Sequence, residues 1–219
     1  MKPRQRYDLE RKKMKEERLN SILDAASRLF AEKGIENTTM QDIADAANLG
    51  VATVFRFFSK KEKIIVAVAT RKVNSILHAF EEAAALKVPC IQKIEWILDS
   101  FFQSLRIENN YTTRILEDFD TYVSRIQSPI EDIEEFNAAY RKVSKVFSSI
   151  VEEGIKDGSI RADINIRDTL TTLMNAFGLF TRKLAIHRSI LWLELDLEPE
   201  KQLSLFKKIV LDYLQDCRA

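Results

Sequence analysis

Apolar positions recur with a helical period from Leu19 onward. Leu19, Ile22, Leu23, Ala26, Leu29 and Phe30 form one stripe that stops at Gly34, a residue suited to end a helix. A second, short helix is predicted to open at Thr39, where Thr39-Met40-Gln41-Asp42 has the form of a capping box with Asp in place of the usual Glu, and to run to about Ala47. Asn48 tolerates the left-handed backbone that a tight turn needs. A third helix follows from about Gly50 to Phe58, and Ser59 is placed to cap a fourth. Beyond it the helices lengthen, over about 60–86, 89–107, 111–127, 129–156, 166–188 and 199–217.

Each long segment carries its own stripe. Ile91, Ile94, Ile97, Leu98, Phe101 and Leu105 share one face, as do Ile130, Ile133, Phe136, Tyr140, Val143, Phe147 and Ile150. The latter helix is expected to start with Ser128-Pro129-Ile130-Glu131, a capping box with Pro at the first position. Leu203, Phe206, Ile209, Val210, Tyr213 and Leu214 stripe the last helix. The residues 1–17 (MKPRQRYDLERKKMKEE) are dense in charge and poor in apolar side chains, and read as a flexible arm or a backward extension of the first helix.

Composition supports an all-α fold. Only five glycines and four prolines punctuate 219 residues, and Pro89, Pro129 and Pro199 each precede a long periodic stretch. The net charge of +1 conceals an asymmetry: residues 1–65 hold 14 Lys or Arg against 10 Asp or Glu, and the remainder is mildly acidic. A basic end on an acidic body favours meeting a polyanion at the N-terminus. Cys90 and Cys217 cannot build a disulfide framework, and with only His78 and His187 no metal-ligand spacing exists, so neither metal nor cofactor is expected. No apolar run spans a bilayer and no signal peptide is evident, which points to the cytoplasm.

Two short helices joined by a tight turn and braced by a longer one form a helix-turn-helix, unless they are an ordinary hairpin in a bundle core. In a helix-turn-helix the second helix must project so that its first residues enter a major groove. Ala44 and Ala47 allow close crossing, and Leu49 can fill the space between the helices.

From Ile22 to Ile64 the sequence resembles the N-terminal domain of the tetracycline-repressor (TetR) family. The match is read in Ile22-Leu23-Asp24-Ala25-Ala26, Leu29-Phe30-Ala31-Glu32-Lys33-Gly34 and Thr38-Thr39-Met40-Gln41-Asp42-Ile43-Ala44. It continues through Ala47-Asn48-Leu49-Gly50-Val51-Ala52-Thr53-Val54-Phe55-Arg56-Phe57-Phe58 and closes with Lys60-Lys61-Glu62-Lys63-Ile64. The remaining helices match the family only in number, length and order.

The resemblance implies an N-terminal three-helix DNA-binding domain over 18–64, preceded by the basic arm 1–17. A larger helical ligand-binding and dimerisation domain over 65–219 follows, about nine helices in all. It implies that Gly50, Val51 and Ala52 face bases, that Thr53 touches a base or phosphate, and that Phe57 packs on the sugar-phosphate backbone. Lys61 pairs with a phosphate, Gln41 reaches the groove, and Thr39 bonds a phosphate while capping. Three departures stand out. Positions 55 and 57, often Tyr or His in the family, are both Phe. Gly50 replaces a frequent Ser. Val51 and Ala52 offer only apolar contact, suited to thymine methyl groups. Arg56 is placed to read a base, bind phosphate or stay in water. Arg4, Arg6, Arg11, Lys12 and Lys13 in the arm either contact DNA or stay solvated.

The resemblance further implies a homodimer through the last two helices and a small-molecule effector inside the larger domain. The helix at 166–188 is apolar around much of its circumference, as two buried faces require, one toward its own domain and one toward a partner, unless it is the central helix of a monomeric bundle. Phe180, Leu184, Phe206, Val210 and Tyr213 are the candidate interface residues. Trp96, Phe101, Phe119, Tyr122, Tyr140, Phe147 and Phe177 are the candidate pocket walls, for a largely apolar effector; ordinary core packing is the alternative for each. Trp192 is expected on the dimer surface. The function implied is a ligand-responsive DNA-binding regulator, a repressor by family tendency. The alternative is a helical regulator acting through a protein partner without operator binding. A helical enzyme has no support in a nucleophile–base pair, an HExxH spacing or a phosphate-binding glycine loop.

Overall fold

The computed structural model describes residues 3–106, 111–126, 129–189 and 199–215. Among them the chain is all-α, with nine helices and no strand: α1 Pro3–Lys33, α2 Met40–Ala46, α3 Val51–Phe57, α4 Lys61–Ala85, α5 Cys90–Arg106, α6 Tyr111–Arg125, α7 Ile133–Asp157, α8 Ile166–Ser189 and α9 Pro199–Leu214. The side chains of Leu184 and His187, and Trp192 and Cys217 altogether, lie outside the described residues.

Contacts divide the chain into two units. Met1–Lys72 with Arg114–Phe136 form the first, and Val73–Thr113 with Asn137–Ala219 the second. The expected boundary at 64/65 does not anticipate that the first unit recruits the segment 114–136. In this unit Ile22, Ala26 and Phe30 of the predicted α1 stripe are buried, and with them Ile43 and Ala44 of α2, Val54 of α3, and Ile64, Ile65 and Val68 of α4, all 0–2% exposed. Each large side chain so buried contributes about 1.5–3 kcal/mol. Ile115 and Phe119 add to this core from the recruited segment, with Phe119 against Phe136 at 4.7 Å between ring centres.

The second unit buries Val73, Phe80, Ile94, Val143, Phe147, Ile150, Val210 and Leu214, among others. Gly154 has no room for a side chain: a Cβ there would overlap Ile160 and come within 2.9 Å of the Cys90 Cβ. Asp157 caps the neighbouring α5 by accepting from the Cys90 N–H at 3.1 Å. Its carboxyl is held down at about 2 by the bonds from Ser159 and then Cys90, while burial pushes the Cys90 thiol up to about 11. That thiol is a packing group, not a nucleophile.

Of the two readings of residues 1–17, the described part takes the backward extension: it is helical from Pro3, so α1 is 31 residues long. Two local expectations are corrected. The capping box at Ser128-Pro129-Ile130-Glu131 does not start a helix: Pro129 and Ile130 are non-helical, Asp132 takes φ 63°, and α7 begins only at Ile133. Glu131 is instead drawn to Lys60 at 2.8 Å and Asp132 to Lys63 at 3.1 Å, while Glu134 and Glu135 occupy the first helical turn. Lastly, α4 starts at Lys61, two residues past the Ser59 read as its cap.

Candidate nucleic-acid interface

Every joint of the α1–α2–α3 head is tied by a local bond. α1 ends at Gly34, whose φ of 85° suits glycine. Thr38 donates its hydroxyl to the Gly34 carbonyl at 2.8 Å. Thr39 caps α2: the Asp42 N–H donates to the Thr39 hydroxyl oxygen at 3.1 Å, and the Thr39 N–H donates back to the Asp42 carboxylate at 2.7 Å. Lys33, at the end of α1, holds the same carboxylate at 2.7 Å. That ammonium, followed by the bonds from Thr39, keeps the Asp42 carboxyl well below its usual range.

The turn from α2 to α3 is a Schellman motif. Asn48 takes φ 54°, its N–H donates to Asp45 O at 3.1 Å, and the Leu49 N–H donates to Ala44 O at 2.9 Å. Ser21 of α1 donates to the Ala47 carbonyl at 3.2 Å, so the first helix braces the turn directly. Gly50 then starts α3 with extended backbone (φ −66°, ψ 140°) and no side-chain cap.

Helical spacing sorts the α3 side chains. Val54 and Phe58, four apart, are buried; Ala52, Phe55 and Arg56 are exposed; Val51, Thr53 and Phe57 lie between. Gly50, Val51, Ala52 and Thr53 thus sit together on the first turn, with Arg56 one turn on. Phe55 is 48% exposed, a projecting ring that the sequence reading left without a role. Gln41 is exposed on α2, its amide donating to Asp45 at 2.7 Å. Thr39 is exposed but uses its hydroxyl in the cap.

Lys61 behaves differently from the expectation. Its ammonium donates to three carbonyls of the α1–α2 connection, Ile35 at 3.0 Å, Glu36 at 3.2 Å and Thr38 at 2.9 Å. All three N–H groups therefore have partners inside the head. Periodicity gave no hint of this clasp, since it joins a loop to a helix 23–26 residues later. Lys60 and Lys63 are likewise engaged with Glu131 and Asp132, and both ammonium pKa values are raised by those carboxylates.

Residues 22–68 match the family model for bacterial regulatory proteins of the tetR family. That segment of the chain is a tetR-family regulatory domain. The match runs from Ile22, in the last third or so of α1, through the first turns of α4, the span whose joints are described above. Among curated proteins the chain is similar to the HTH-type transcriptional repressor KstR2 of Rhodococcus jostii, 24% identical over 149 residues, 68% of this chain and 71% of that protein. It is also 24% identical over 155 residues to the fatty acid metabolism regulator protein of Bacillus subtilis, covering 71% of this chain and 77% of that one. Its fold is shared with the transcriptional regulator FadR from Bacillus subtilis in complex with stearoyl-CoA, at a TM-score of 0.67 and 20% identity over 89% of this chain and 96% of that one.

The candidate pocket residues are divided between the two units. Phe101, Phe147 and Phe177 lie in the second unit and are strung together by Phe80: Phe80 is 6.2 Å from both Phe101 and Phe147, and Phe101 is 5.1 Å from Phe177. Phe177 continues to Phe206 at 6.2 Å, and Phe206 stacks on Phe180 at 5.2 Å. Phe119 and Tyr122 belong instead to the head unit, and burial raises the Tyr122 pKa. Tyr140 is 38% exposed and Trp96 half-buried. A cleft of about 540 Å³ opens between α5 and α9, but it is polar at its centre, where Lys207 bridges Glu95 and Asp99 at 2.8 Å each. None of the seven candidates lines it.

Val210 is corrected as an interface residue: at 3% exposure it belongs to the chain's own core. The apolar side chains that α9 leaves exposed are Leu205, Ile209 and Tyr213, four residues apart, and α8 adds Leu179 at 68% exposure. Simple stripe counting placed Val210 and Ile209 together because adjacent positions cannot be ranked without knowing which side meets the body.

Proposed function

We propose that this TetR-family regulator is a homodimer that binds operator DNA through Gly50–Thr53, Arg56 and Gln41, and is released by a small, largely apolar molecule. The observation that carries the reading is the first turn of α3. It is small, with Gly50 and Ala52 exposed and Val51 and Thr53 half-buried, and it is tied in place by the Schellman turn and the Ser21 brace. Gly50, Val51 and Ala52 permit close approach to base edges and apolar contact with thymine methyl groups, leaving polar readout to Gln41, Thr53 and Arg56. Domain roles follow: residues 18–64 read DNA, and 65–219 bind effector and partner.

Phe80, Phe101, Phe147 and Phe177 supply an aromatic interior in the second unit that suits an apolar ligand. The stearoyl-CoA bound to the FadR relative makes a long acyl chain a sensible first probe. In the dimer, two recognition helices stand roughly 34–36 Å apart in the binding state. An effector that prefers another spacing shifts the population by its differential affinity. α4 has turns in both units, as α6 and α7 have residues in both, and α4 follows directly on α3, so it is a direct route for such a shift.

The test is to select duplexes from a random pool with the purified protein, then challenge the complex with stearoyl-CoA, free fatty acid, cationic dyes and sugars. Release by the acyl compounds supports the reading. Release by sugars alone removes the apolar effector, and failure to enrich any sequence removes the operator.

A further inference from the structure

The N-terminal half of α1 has no part in the interface described so far. Residues 4–18 are all exposed, yet they continue the head's first helix without a break. Arg4, Arg11, Lys15 and Arg18 follow one another at spacings of seven, four and three, which keeps them in one narrow arc of a 3.6-residue helix. The same arc runs on into Ile22, Ala25 and Ala26, which are buried. The stripe that is apolar core inside the head becomes basic where the helix leaves it.

Charge on the rest of the extension is arranged differently. On the opposite side Arg6 is paired with Glu10 at 3.0 Å and Lys13 with Glu17 at 3.8 Å. Arg4, Arg11, Lys15 and Arg18 make no ion pair among the described residues, and only Asp8 borders their arc. The Ser21 bond to Ala47 ties α1, three residues past Arg18, to the α2–α3 turn that leads into Gly50 and α3, so the extension is rooted beside that turn. From Arg4 to Arg18 the helix runs about 21 Å, close to the rise of about six base pairs.

We propose that the N-terminal half of α1 is a second DNA-binding surface, a preformed helix whose Arg4, Arg11, Lys15 and Arg18 contact duplex phosphates flanking the base pairs met by α3. It rests on the operator-binding reading above. Four contacts of this kind carry no base information; they raise affinity for any duplex and steepen its salt dependence.

The experiment uses the full chain, a duplex recovered by selection with it, and a random duplex of equal length. A fourfold variant, Arg4→Gln, Arg11→Gln, Lys15→Gln and Arg18→Gln, is compared with the control Arg6→Gln, Lys13→Gln on the paired side. The fourfold variant should bind both duplexes at least about tenfold more weakly at low salt, with a log–log salt slope shallower by about two to four units. Its melting temperature should be unchanged, and the control should stay within about twofold of wild type in affinity. Trimming about six flanking base pairs from each end should weaken wild type but not the fourfold variant. An unchanged slope overturns the proposal, as does an equal effect of the control, which would mean general charge and not this stripe. If wild type enriches no duplex at all, the operator reading itself fails, and this surface with it.

Discussion

The Lys61 ammonium donates to the Thr38 carbonyl at 2.9 Å, joining the start of α4 to the connection between α1 and α2. With the bonds to Ile35 and Glu36 it makes Lys61 a clasp for the head. Removing a charged donor from partly buried carbonyls costs about 1.5–3 kcal/mol. Lys61→Ala should therefore lower head stability by about that amount, and lower DNA affinity as a consequence. Unchanged melting with a salt slope shallower by about one unit would assign Lys61 to a phosphate instead.

Gly50 leaves the α3 N-cap without a side-chain acceptor, its φ of −66° is open to any L-residue, and nothing stands within 4 Å of an added Cβ. Gly50→Ser should stabilise by a few tenths of a kcal/mol, the usual difference between these residues at an N-cap. A drop in the denaturation midpoint would show that the first turn is less open than described.

Gly154→Ala forces a Cβ onto Ile160 and Cys90. Overpacking of this kind costs about 1–3 kcal/mol, readable by chemical denaturation. A neutral result would mean that Ile160 gives way freely.

The carboxyls of Asp42 and Asp157 lie below their ordinary range when folded. The unfolded chain therefore takes up protons first as pH falls, so their stabilisation is complete above about pH 4 and is lost below it, in Asp157's case through about pH 2. Asp42→Asn should flatten the acid limb of the stability curve between about pH 4 and pH 2. An unaltered limb would contradict the Lys33–Asp42 account.

Exposure separates two neighbours on α9. Ile209 is 57% exposed and Val210 3%. Ile209→Asp should leave a folded chain whose light-scattering mass falls from two chains to one, whereas Val210→Asp should unfold it. A folded Ile209→Asp dimer would move the interface away from α9.

The legible parts of this molecule are those written in local chemistry. Gly34, the Thr39–Asp42 box and Asn48 act where the sequence placed them, because caps and left-handed turns depend on residues within one turn of each other. What stayed hidden depends on distant partners. Pro129 has the form of a first helical position, and nothing local announces that Asp132 takes a left-handed φ of 63° and delays the helix to Ile133. Lys61 matches a phosphate-pairing position of the family, and its bonds to Ile35, Glu36 and Thr38 stayed hidden because those acceptors are main-chain atoms, which carry no sequence signature. Phe119 and Tyr122 were grouped with Phe177 by residue type, whereas the contacts put them in the head.

The central claim is that the first turn of α3 reads operator sequence. The measurement is binding of wild type and Thr53→Ala to a selected duplex and to single-base variants of it, at fixed salt. The account predicts that Thr53→Ala loses about 1–3 kcal/mol of discrimination at particular base pairs, while its affinity for random DNA is unchanged. Equal weakening on every duplex, or wild-type binding indifferent to sequence, would contradict it.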